Sequence, residues 1–166
     1  NCIYKGIESI KFCNSQIADE LMELSKNNYD TFIDLLADID EHTSLNSRQL
    51  DILVKLNFFE EFGNNKMLLD IVDIYNKLYR VKIIAKSKME QLGLSEFLMT
   101  KYAGKETKSQ YREIDNAGLI KELCSRLSNE SLNIFDQMKA ELEYLGYVNY
   151  KNENMDSNYY AIVSFE

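Results

Sequence analysis

Apolar residues recur every three or four positions along most of this chain, the spacing that puts them on one face of an α-helix. Short polar turns rich in Asn, Ser and Asp separate these segments, and the chain contains no Pro that would interrupt a helix. The pattern predicts a mainly α protein. The predicted helices have apolar faces at Ile3–Ile10, Ile17–Leu24, Phe32–Ile39 and Leu50–Leu56, followed by a long helix from Asn65 to about Gln91 and by helices over 95–103, 110–128 and 131–145.

The helix starts and stops give the clearest local signals. Asn14 or Ser15 is placed to cap the second helix, and Asn46 or Ser47 to cap the fourth, because these side chains accept hydrogen bonds from free N–H groups. Asn57 stands where the fourth helix must leave right-handed geometry, and Asn tolerates the left-handed conformation better than most residues. We expect three aromatic residues to pack back on the core after this stop: Phe58, Phe59 and Phe62.

The last part of the chain changes from helix formers to strand formers. Aromatic and β-branched residues are concentrated in 144–150 and again in 159–165, on either side of the polar segment KNENMDSN. Such a composition favours two strands joined by a loop. An isolated hairpin is only marginally stable in water, so the last run is alternatively the first strand of a further domain. The predicted organisation is therefore a region over 1–65, a helical extension with a long basic helix over 66–143, and a β-hairpin or the start of a next domain over 144–166.

The net charge of −8 is unevenly distributed along the chain. Residues 1–66 have 6 basic and 12 acidic side chains, residues 67–112 have 9 and 5, and residues 113–166 have 4 and 10. An acidic chain does not bind nucleic acid indiscriminately, so only the middle third is expected to present a positive face.

The sequence indicates neither a membrane nor an oxidising compartment. No segment approaches the roughly 18 apolar residues of a membrane span, and no basic-then-apolar leader opens the chain. The three Cys residues are far apart and lack a CxxC pairing, which is typical of reduced thiols. We therefore expect a cytoplasmic protein that does not contact membranes.

No arrangement of residues in the sequence is typical of an independent active site. The patterns GxGxxG, GxSxG and HExxH and the P-loop do not occur, and His42, the one histidine, stands in a polar loop where we expect it to be solvated. The acidic pairs Asp38/Asp40 and Glu60/Glu61 lack a third carboxylate at a useful spacing. We therefore expect no catalytic residues, no metal site and no cofactor within this chain.

Two features are suited to binding phosphate without catalysing a reaction. One is the turn Lys11–Gln16, where N–H groups at the start of a helix, the helix dipole and the Lys11 ammonium are placed to hold a phosphate. The other is a run of basic residues that could follow a phosphate backbone. Its positions are scattered around the predicted helix, so an ordinary solvated surface is the competing interpretation. The run comprises Lys77, Arg80, Lys82, Lys86 and Lys88, with Lys101, Lys105, Lys108 and Arg112 beyond it.

Three segments stand out by their order and spacing. They are GIESIKFCNSQIADEL (6–21) with TFIDL (31–35), then LNSRQLDILVKLNFFEEFG (45–63), and finally ELEYLGY (141–147). Together they resemble the C-terminal half of bacterial replicative DNA polymerase III alpha subunits. In that family a helix-hairpin-helix region follows the polymerase fingers and precedes the clamp-binding segment and an OB-fold. The resemblance covers the first 65 residues and 141–166, and it implies that the final run begins an OB-fold.

The resemblance implies a helix-hairpin-helix-type fold and a non-catalytic module that contacts the phosphate backbone of duplex DNA without reading its sequence. The parent enzyme would extend a primer, with magnesium held by carboxylates of a palm domain. No part of that palm is present here, so the chain looks like a fragment of a polymerase. The implied DNA-binding residues are Lys11, Asn14, Ser15, Gln16, Arg48 and Lys55, and the basic run adds a second candidate face at Arg80, Lys82, Lys86 and Lys88.

The chain departs from the family pattern at the hairpin turn. The family's Gly-x-Gly lets the backbone approach a phosphate closely, whereas Phe12 and Asn14 stand at those positions here. Asn57 and Phe58 likewise stand where the family has Gly and Ala. We therefore expect only weak binding to duplex DNA. The alternative is an acidic helical module for protein interaction, which docks a sliding clamp or another replisome subunit.

Overall fold

The structure, a computed structural model, describes residues 6–149 and is mainly helical, as the hydrophobic pattern predicts. Within that range it has seven α-helices and three short β-strands, with 3₁₀ turns at Ile7–Ser9, Glu60–Phe62 and Lys86–Lys88. The helices are α1 (Ser15–Leu24), α2 (Phe32–His42), α3 (Ser47–Lys55), α4 (Asn65–Leu78), α5 (Glu96–Tyr102), α6 (Asn116–Cys124) and α7 (Ile134–Leu145). The strands are β1 (Ile83–Ala85), β2 (Ala103–Glu106) and β3 (Gln110–Ile114).

The chain forms two compact units. The first unit combines residues 1–69 with residues 129–166 and, where described, contains α1, α2, α3, the start of α4 and α7. The second unit is residues 70–128 and contains the rest of α4, the three strands, α5 and α6.

In the first unit the predicted helix caps are confirmed. The Asn14 side chain accepts from the Ile17 N–H to begin α1, and Asn46 begins α3 in a reciprocal capping box with Gln49. The consecutive residues 52–54 of α3 are completely buried, so this helix is the centre of the core of the unit. The helix predicted near Ile3–Ile10 is, in its described part, only a short 3₁₀ turn.

The predicted stop after α3 is also confirmed. Asn57 adopts a left-handed φ of 61°, and the Phe58 N–H returns to the Leu53 carbonyl at 3.0 Å. Phe59 is buried, and the rings of Phe59 and Phe62 lie 5.5 and 5.7 Å from the ring of one α2 residue. Phe58, expected to pack inward, is instead 38% exposed.

The prediction of a long helix that reaches about Gln91 is wrong, because α4 ends at Leu78. The Asn116 side chain donates to the carbonyl oxygens of Leu78 and Val81, at 2.5 and 2.6 Å, and so captures the helix end. Arg80 takes a left-handed φ of 60°, after which the β-branched residues of β1 pair with β3. The hydrogen bonds from Asn116 and the pairing of β1 with β3 therefore outweigh the helical spacing of the apolar residues after Leu78.

The strands form one antiparallel sheet in the order β1-β3-β2, which the sequence pattern does not predict. β2 ends at Glu106, and the helix predicted over 110–128 begins only at Asn116, after β3. Gly118 lies in the first turn of α6, where its N–H donates to the capping Asp115. A Cβ at Gly118 would stand 2.4 Å from an Asp115 oxygen, so this close cap favours a glycine.

The predicted change to strands at 144 is not found in the described part. Tyr144 belongs to α7, which ends at Leu145 and is capped by Gly146 with a left-handed φ of 81°, and residues 147–149 form no strand. Glycine reaches this conformation without steric cost, which is why the helix stops there. The remainder of the predicted hairpin or OB strand lies outside the described residues.

Candidate nucleic-acid interface

The turn between the 3₁₀ segment Ile7–Ser9 and α1 is held by two other helices of the first unit. The Lys11 N–H donates to the Tyr144 carbonyl oxygen near the end of α7, at 3.1 Å. The Gln49 side-chain amide, in the first turn of α3, donates to the Phe12 carbonyl oxygen at 2.9 Å. Residues far apart in sequence therefore fix the backbone of this turn.

Phe12 lies at the centre of the turn. Its φ of 74° is left-handed, which costs a residue with a Cβ roughly 1–2 kcal/mol. Its ring is 42% exposed, with the Arg48 guanidinium carbon 3.8 Å and the Lys11 Nζ 5.2 Å from the ring centroid. Two cations from separate elements thus lie against one aromatic ring. We call Lys11, Phe12 and Arg48 the Phe12 cluster.

Two helices begin beside the Phe12 cluster. Asn14 accepts from the Ile17 N–H at 3.0 Å to cap α1, and Arg48 is the second residue of α3. The first turn of each helix keeps N–H groups that have no partner within the helix, and each helix dipole places partial positive charge at this end. The two cations and the two helix starts together form a positive surface suited to a phosphate.

Some of the predicted DNA-binding residues meet at this turn, and others are occupied elsewhere. Lys11, Asn14 and Arg48 lie at the turn, and Ser15 opens α1 beside them. The side-chain oxygen of Asn14 is used as the cap, so it positions the helix rather than a ligand. The Gln16 amide donates to the Glu20 carboxylate at 2.8 Å and is turned along α1.

Lys55 lies apart from the cluster and is already paired. It stands two turns beyond Arg48 on α3, roughly 10 Å along the helix axis. Its ammonium contacts the Asp51 carboxylate at 2.6 Å. Burial lowers the pKa of Lys55, but the hydrogen bond and the charge of Asp51 outweigh burial, so the pKa is raised. A phosphate would have to displace Asp51 from Lys55.

Glu20 limits how strongly an anion can bind near these helix starts. Its carboxylate accepts from the Ser44 N–H at 2.7 Å, from the Ser44 hydroxyl and from Gln16. These hydrogen bonds, led by that of the Ser44 backbone, lower the pKa of Glu20. Glu20 is therefore anionic at neutral pH and opposes the positive potential of the neighbouring residues.

The second candidate face is not a helical face. Arg80 lies in the turn after α4 with its guanidinium 4.9 Å from the Tyr79 ring, Lys82 precedes β1, and the 3₁₀ turn Lys86–Lys88 follows it. Lys86 contacts the Glu106 carboxylate, and this hydrogen bond raises its pKa. These four basic residues are therefore dispersed over turns and strand ends, and Lys86 is neutralised within the unit.

Two parts of this interface are missing from the set predicted from sequence. Gln49 fixes the turn, and the ring of Phe12 collects the two cations instead of only obstructing a phosphate. The Asn46–Gln49 spacing is a recognisable capping box, so the position of Gln49 in the first turn is readable from sequence. Its hydrogen bond to the Phe12 carbonyl oxygen is a tertiary contact, which cannot be read from the sequence.

The first unit also has an apolar groove of about 700 Å³. Met22 and Phe58 line it and are 67% and 38% exposed. Leu21 adds to the apolar lining, and the carboxylates of Asp30 and Glu61 add negative charge. Apolar surface next to acidic groups suits a partner segment that is apolar and basic.

Among residues 6–149, no three or more His, Cys, Asp or Glu side chains are grouped so that they could hold a metal ion. In the same range, no helix combines the length and the apolar content needed to cross a membrane.

In comparisons with known proteins, no family model, no curated protein and no solved structure matches this chain significantly.

Proposed function

We propose that this chain is a non-catalytic module that contacts the phosphate backbone of duplex DNA without reading the base sequence. The observation that supports this proposal most directly is the convergence of Lys11 and Arg48 on the Phe12 ring, beside the starts of two helices. Phosphate is recognised in proteins by cations and by N–H groups at helix starts, and such contacts position DNA without specifying its sequence.

The left-handed Phe12 supports the same proposal. A Gly-x-Gly turn would reach this conformation without strain, and here Phe12 adopts it at a φ of 74° while Gln49 holds its carbonyl oxygen. The chain therefore keeps the left-handed backbone conformation that glycine adopts without strain. The Phe12 ring, however, stands where a glycine would let a phosphate approach the backbone closely. A phosphate would contact the cations around the ring rather than the backbone beneath it.

Binding at this site is expected to be weak and strongly dependent on salt. The first unit has 8 basic and 19 acidic side chains, a net charge of −11, so its overall field repels DNA. Only the local field of the Phe12 cluster favours the phosphate. At 0.1 M salt, dissolved ions largely screen the attraction between charges that are more than about 10 Å apart.

In this proposal the chain is part of a polymerase III alpha-like protein and has a helix-hairpin-helix-type role within it. The nucleotidyl transfer and its magnesium would belong to the parent's palm domain. The residues described here do not fit that ion, because they contain no group of three carboxylates that could hold it. The chain's own contribution is to hold the duplex.

The test is a titration of a fluorescein-labelled duplex of mixed sequence, followed by anisotropy, starting at about 50 mM salt. The variant Lys11→Glu/Arg48→Glu is compared with Lys26→Glu/Lys139→Glu, which makes the same charge change at exposed positions of the same unit. We expect the first variant to lose about tenfold or more in affinity and the slope of log K against log salt to fall by about 2. The control should keep most of the affinity. Equal losses in both variants would contradict a local site.

The second candidate function is docking of a protein partner, such as a sliding clamp or another replisome subunit. The groove with exposed Met22 and Phe58 next to the carboxylates of Asp30 and Glu61 favours it. If the groove binds a partner, Met22→Glu abolishes capture of a purified sliding clamp and leaves DNA binding unchanged. Capture that survives Met22→Glu but is lost on charge reversal within 77–112 would point back to nucleic acid.

A further inference from the structure

The two units have opposite net charge. Residues 1–69 and 129–166 have 8 basic and 19 acidic side chains, a net charge of −11, whereas residues 70–128 have 11 basic and 8 acidic, a net charge of +3. The second unit is therefore the part of the chain whose overall field attracts polyanions.

Several cations of the second unit are neutralised by carboxylates. Lys77 contacts Asp73 at 2.5 Å, and Lys101 contacts Glu122 at 2.9 Å. The cations of the β2–β3 hairpin differ, because no carboxylate among residues 6–149 forms an ion pair with them. These hairpin cations are Lys105, Lys108 and Arg112, and all three are exposed.

Two of these cations stand side by side on the sheet. Lys105 of β2 is directly opposite Arg112 of β3, and Ile83 of β1 is opposite Arg112 on its other side. All three side chains are exposed, Ile83 to 50%. Neighbouring strands are about 4.8 Å apart, so these residues form one continuous row across the sheet. We call Ile83, Arg112 and Lys105 the outer row.

The outer row costs the sheet stability. Like charges directly opposite in an antiparallel pair repel each other. Arg112 donates to the side-chain oxygen of Gln110 at 3.2 Å, a neutral group that does not cancel its charge. An anion lying across the row would weaken the repulsion between Lys105 and Arg112, and no carboxylate among residues 6–149 forms an ion pair with either of them.

The tip of the hairpin is closed by three hydrogen bonds. The Thr107 N–H and hydroxyl both donate to the Gln110 carbonyl oxygen, at 2.8 and 2.9 Å, and the Gln110 N–H donates back to the Thr107 hydroxyl. Lys108 is therefore presented on a fixed turn next to the outer row.

We propose that the outer row, together with Lys108, is a contact surface for the phosphodiester backbone of a nucleic-acid strand. The guanidinium of Arg112 is a planar fork that matches two phosphate oxygens, and the ammonium groups add point charges. The exposed Ile83 offers an apolar surface to sugar faces next to those charges. A membrane surface fits less well, because membrane-binding surfaces bury a broad apolar face and the outer row has one apolar side chain.

The experiment uses the whole chain with labelled duplex and labelled single-stranded DNA, each titrated over a range of salt. The variant Lys105→Gln/Arg112→Gln is matched by Lys77→Gln/Arg126→Gln, which removes one Lys and one Arg charge from the same unit at positions already paired with carboxylates. We expect the outer-row variant to bind about tenfold more weakly on at least one probe, with a salt slope smaller by about 2, and the control to bind like the parent chain.

A second readout separates a binding role from a structural one. Because the outer-row variant loses a like-charge pair, its thermal midpoint should equal or exceed that of the parent chain. A midpoint below that of the parent chain would assign these cations to folding and overturn the proposal. Equal affinities of the two variants for DNA would overturn it as well, as would unchanged DNA binding with a loss of binding to vesicles that contain phosphatidylserine.

This inference shares with the proposed function only the chemical class of the ligand, and the same titrations distinguish the two. A loss confined to Lys105→Gln/Arg112→Gln supports the outer row and contradicts the Phe12 cluster. A loss confined to Lys11→Glu/Arg48→Glu supports the Phe12 cluster and overturns the outer row. Losses in both variants, with both controls unaffected, support two contacts in one chain.

Discussion

The Asn65 side-chain amide donates to the side-chain oxygen of Gln137 at 2.7 Å, and both residues are buried. The Asn65 oxygen accepts from the Leu132 N–H at 2.8 Å, and the Gln137 amide continues to the buried Glu141 carboxylate at 3.0 Å. This polar chain joins the start of α4 to α7 inside the first unit. Each of its members satisfies a group that would otherwise be buried without a partner.

Replacing Asn65 with Ala should therefore destabilise the first unit by about 1–3 kcal/mol, because the Leu132 N–H and the Gln137 oxygen lose their partner in the interior. Asn76→Ala is the matched control, since Asn76 is exposed on the same helix and its replacement favours helix formation slightly. Urea unfolding followed by far-UV circular dichroism measures both, as the chain has no Trp. Equal midpoints for the two variants would contradict the role of Asn65.

Phe12 permits a test of the left-handed turn that does not depend on DNA. Phe12→Gly and Phe12→Ala both lose the ring, but Ala retains the steric cost of a φ of 74° and Gly does not. We expect the Gly variant to be the more stable of the two, by about 1 kcal/mol. In a right-handed turn the order would be reversed, so the sign of the difference in unfolding free energy decides the matter.

The acid stability of the second unit should depend on Glu122. Hydrogen bonds from Arg126, Lys101 and Tyr102 lower the pKa of Glu122 from 4.5 to about 2. A carboxyl group with a depressed pKa in the folded state contributes stability above its unfolded pKa, and this is lost as the pH falls through the folded value. The contribution of Glu122 should therefore decline between pH 4.5 and about 2.

Glu122→Gln should remove this pH-dependent contribution. Its thermal midpoint should lie below that of the parent chain at neutral pH, and the difference should shrink on acidification through this window. Glu90→Gln is the control, because Glu90 is an exposed carboxylate of the same unit with no ion pair among the described residues. A gap between the parent chain and Glu122→Gln that stays constant down to pH 2 would contradict the pairing.

The thiol of Cys124 should react slowly while the chain is folded. Burial raises the pKa of Cys124 to about 11 from 9.0. At neutral pH its thiolate fraction is therefore about 100-fold lower than for an ordinary thiol, and the thiolate is the reactive form. Iodoacetamide labelling followed by peptide mass spectrometry should show a large acceleration at Cys124 in denaturant. A rate that is the same in folded and unfolded chains would contradict its burial.

The sequence predicts the first unit better than the second for physical reasons. Caps at Asn14 and Asn46 and the left-handed stop at Asn57 depend on neighbours within a few residues, so local chemistry determines them. The end of α4 depends on Asn116, which donates to the Leu78 carbonyl oxygen although 38 positions separate the two residues in sequence. Three- and five-residue strands leave too short an alternation to distinguish from helical spacing.

The candidate sites show the same division. Lys11 and Arg48 are recognisable as cations near helix starts, but their meeting on Phe12 requires the tertiary contact between the turn and α3. The run of basic residues is visible in sequence, whereas the cross-strand position of Lys105 and Arg112 follows from the register of the strands. Which cations are paired is a property of the fold.

The hydrogen bonds between Thr107 and Gln110 have a consequence for how the hairpin can change over time. They close the tip within four residues, and none of them uses the side chain of Lys108 or Ser109. Substitutions at these two positions can alter the charge presented to a ligand with little effect on folding. Single mutations at the tip can therefore adjust the affinity for a ligand without a loss of stability that further mutations would have to compensate.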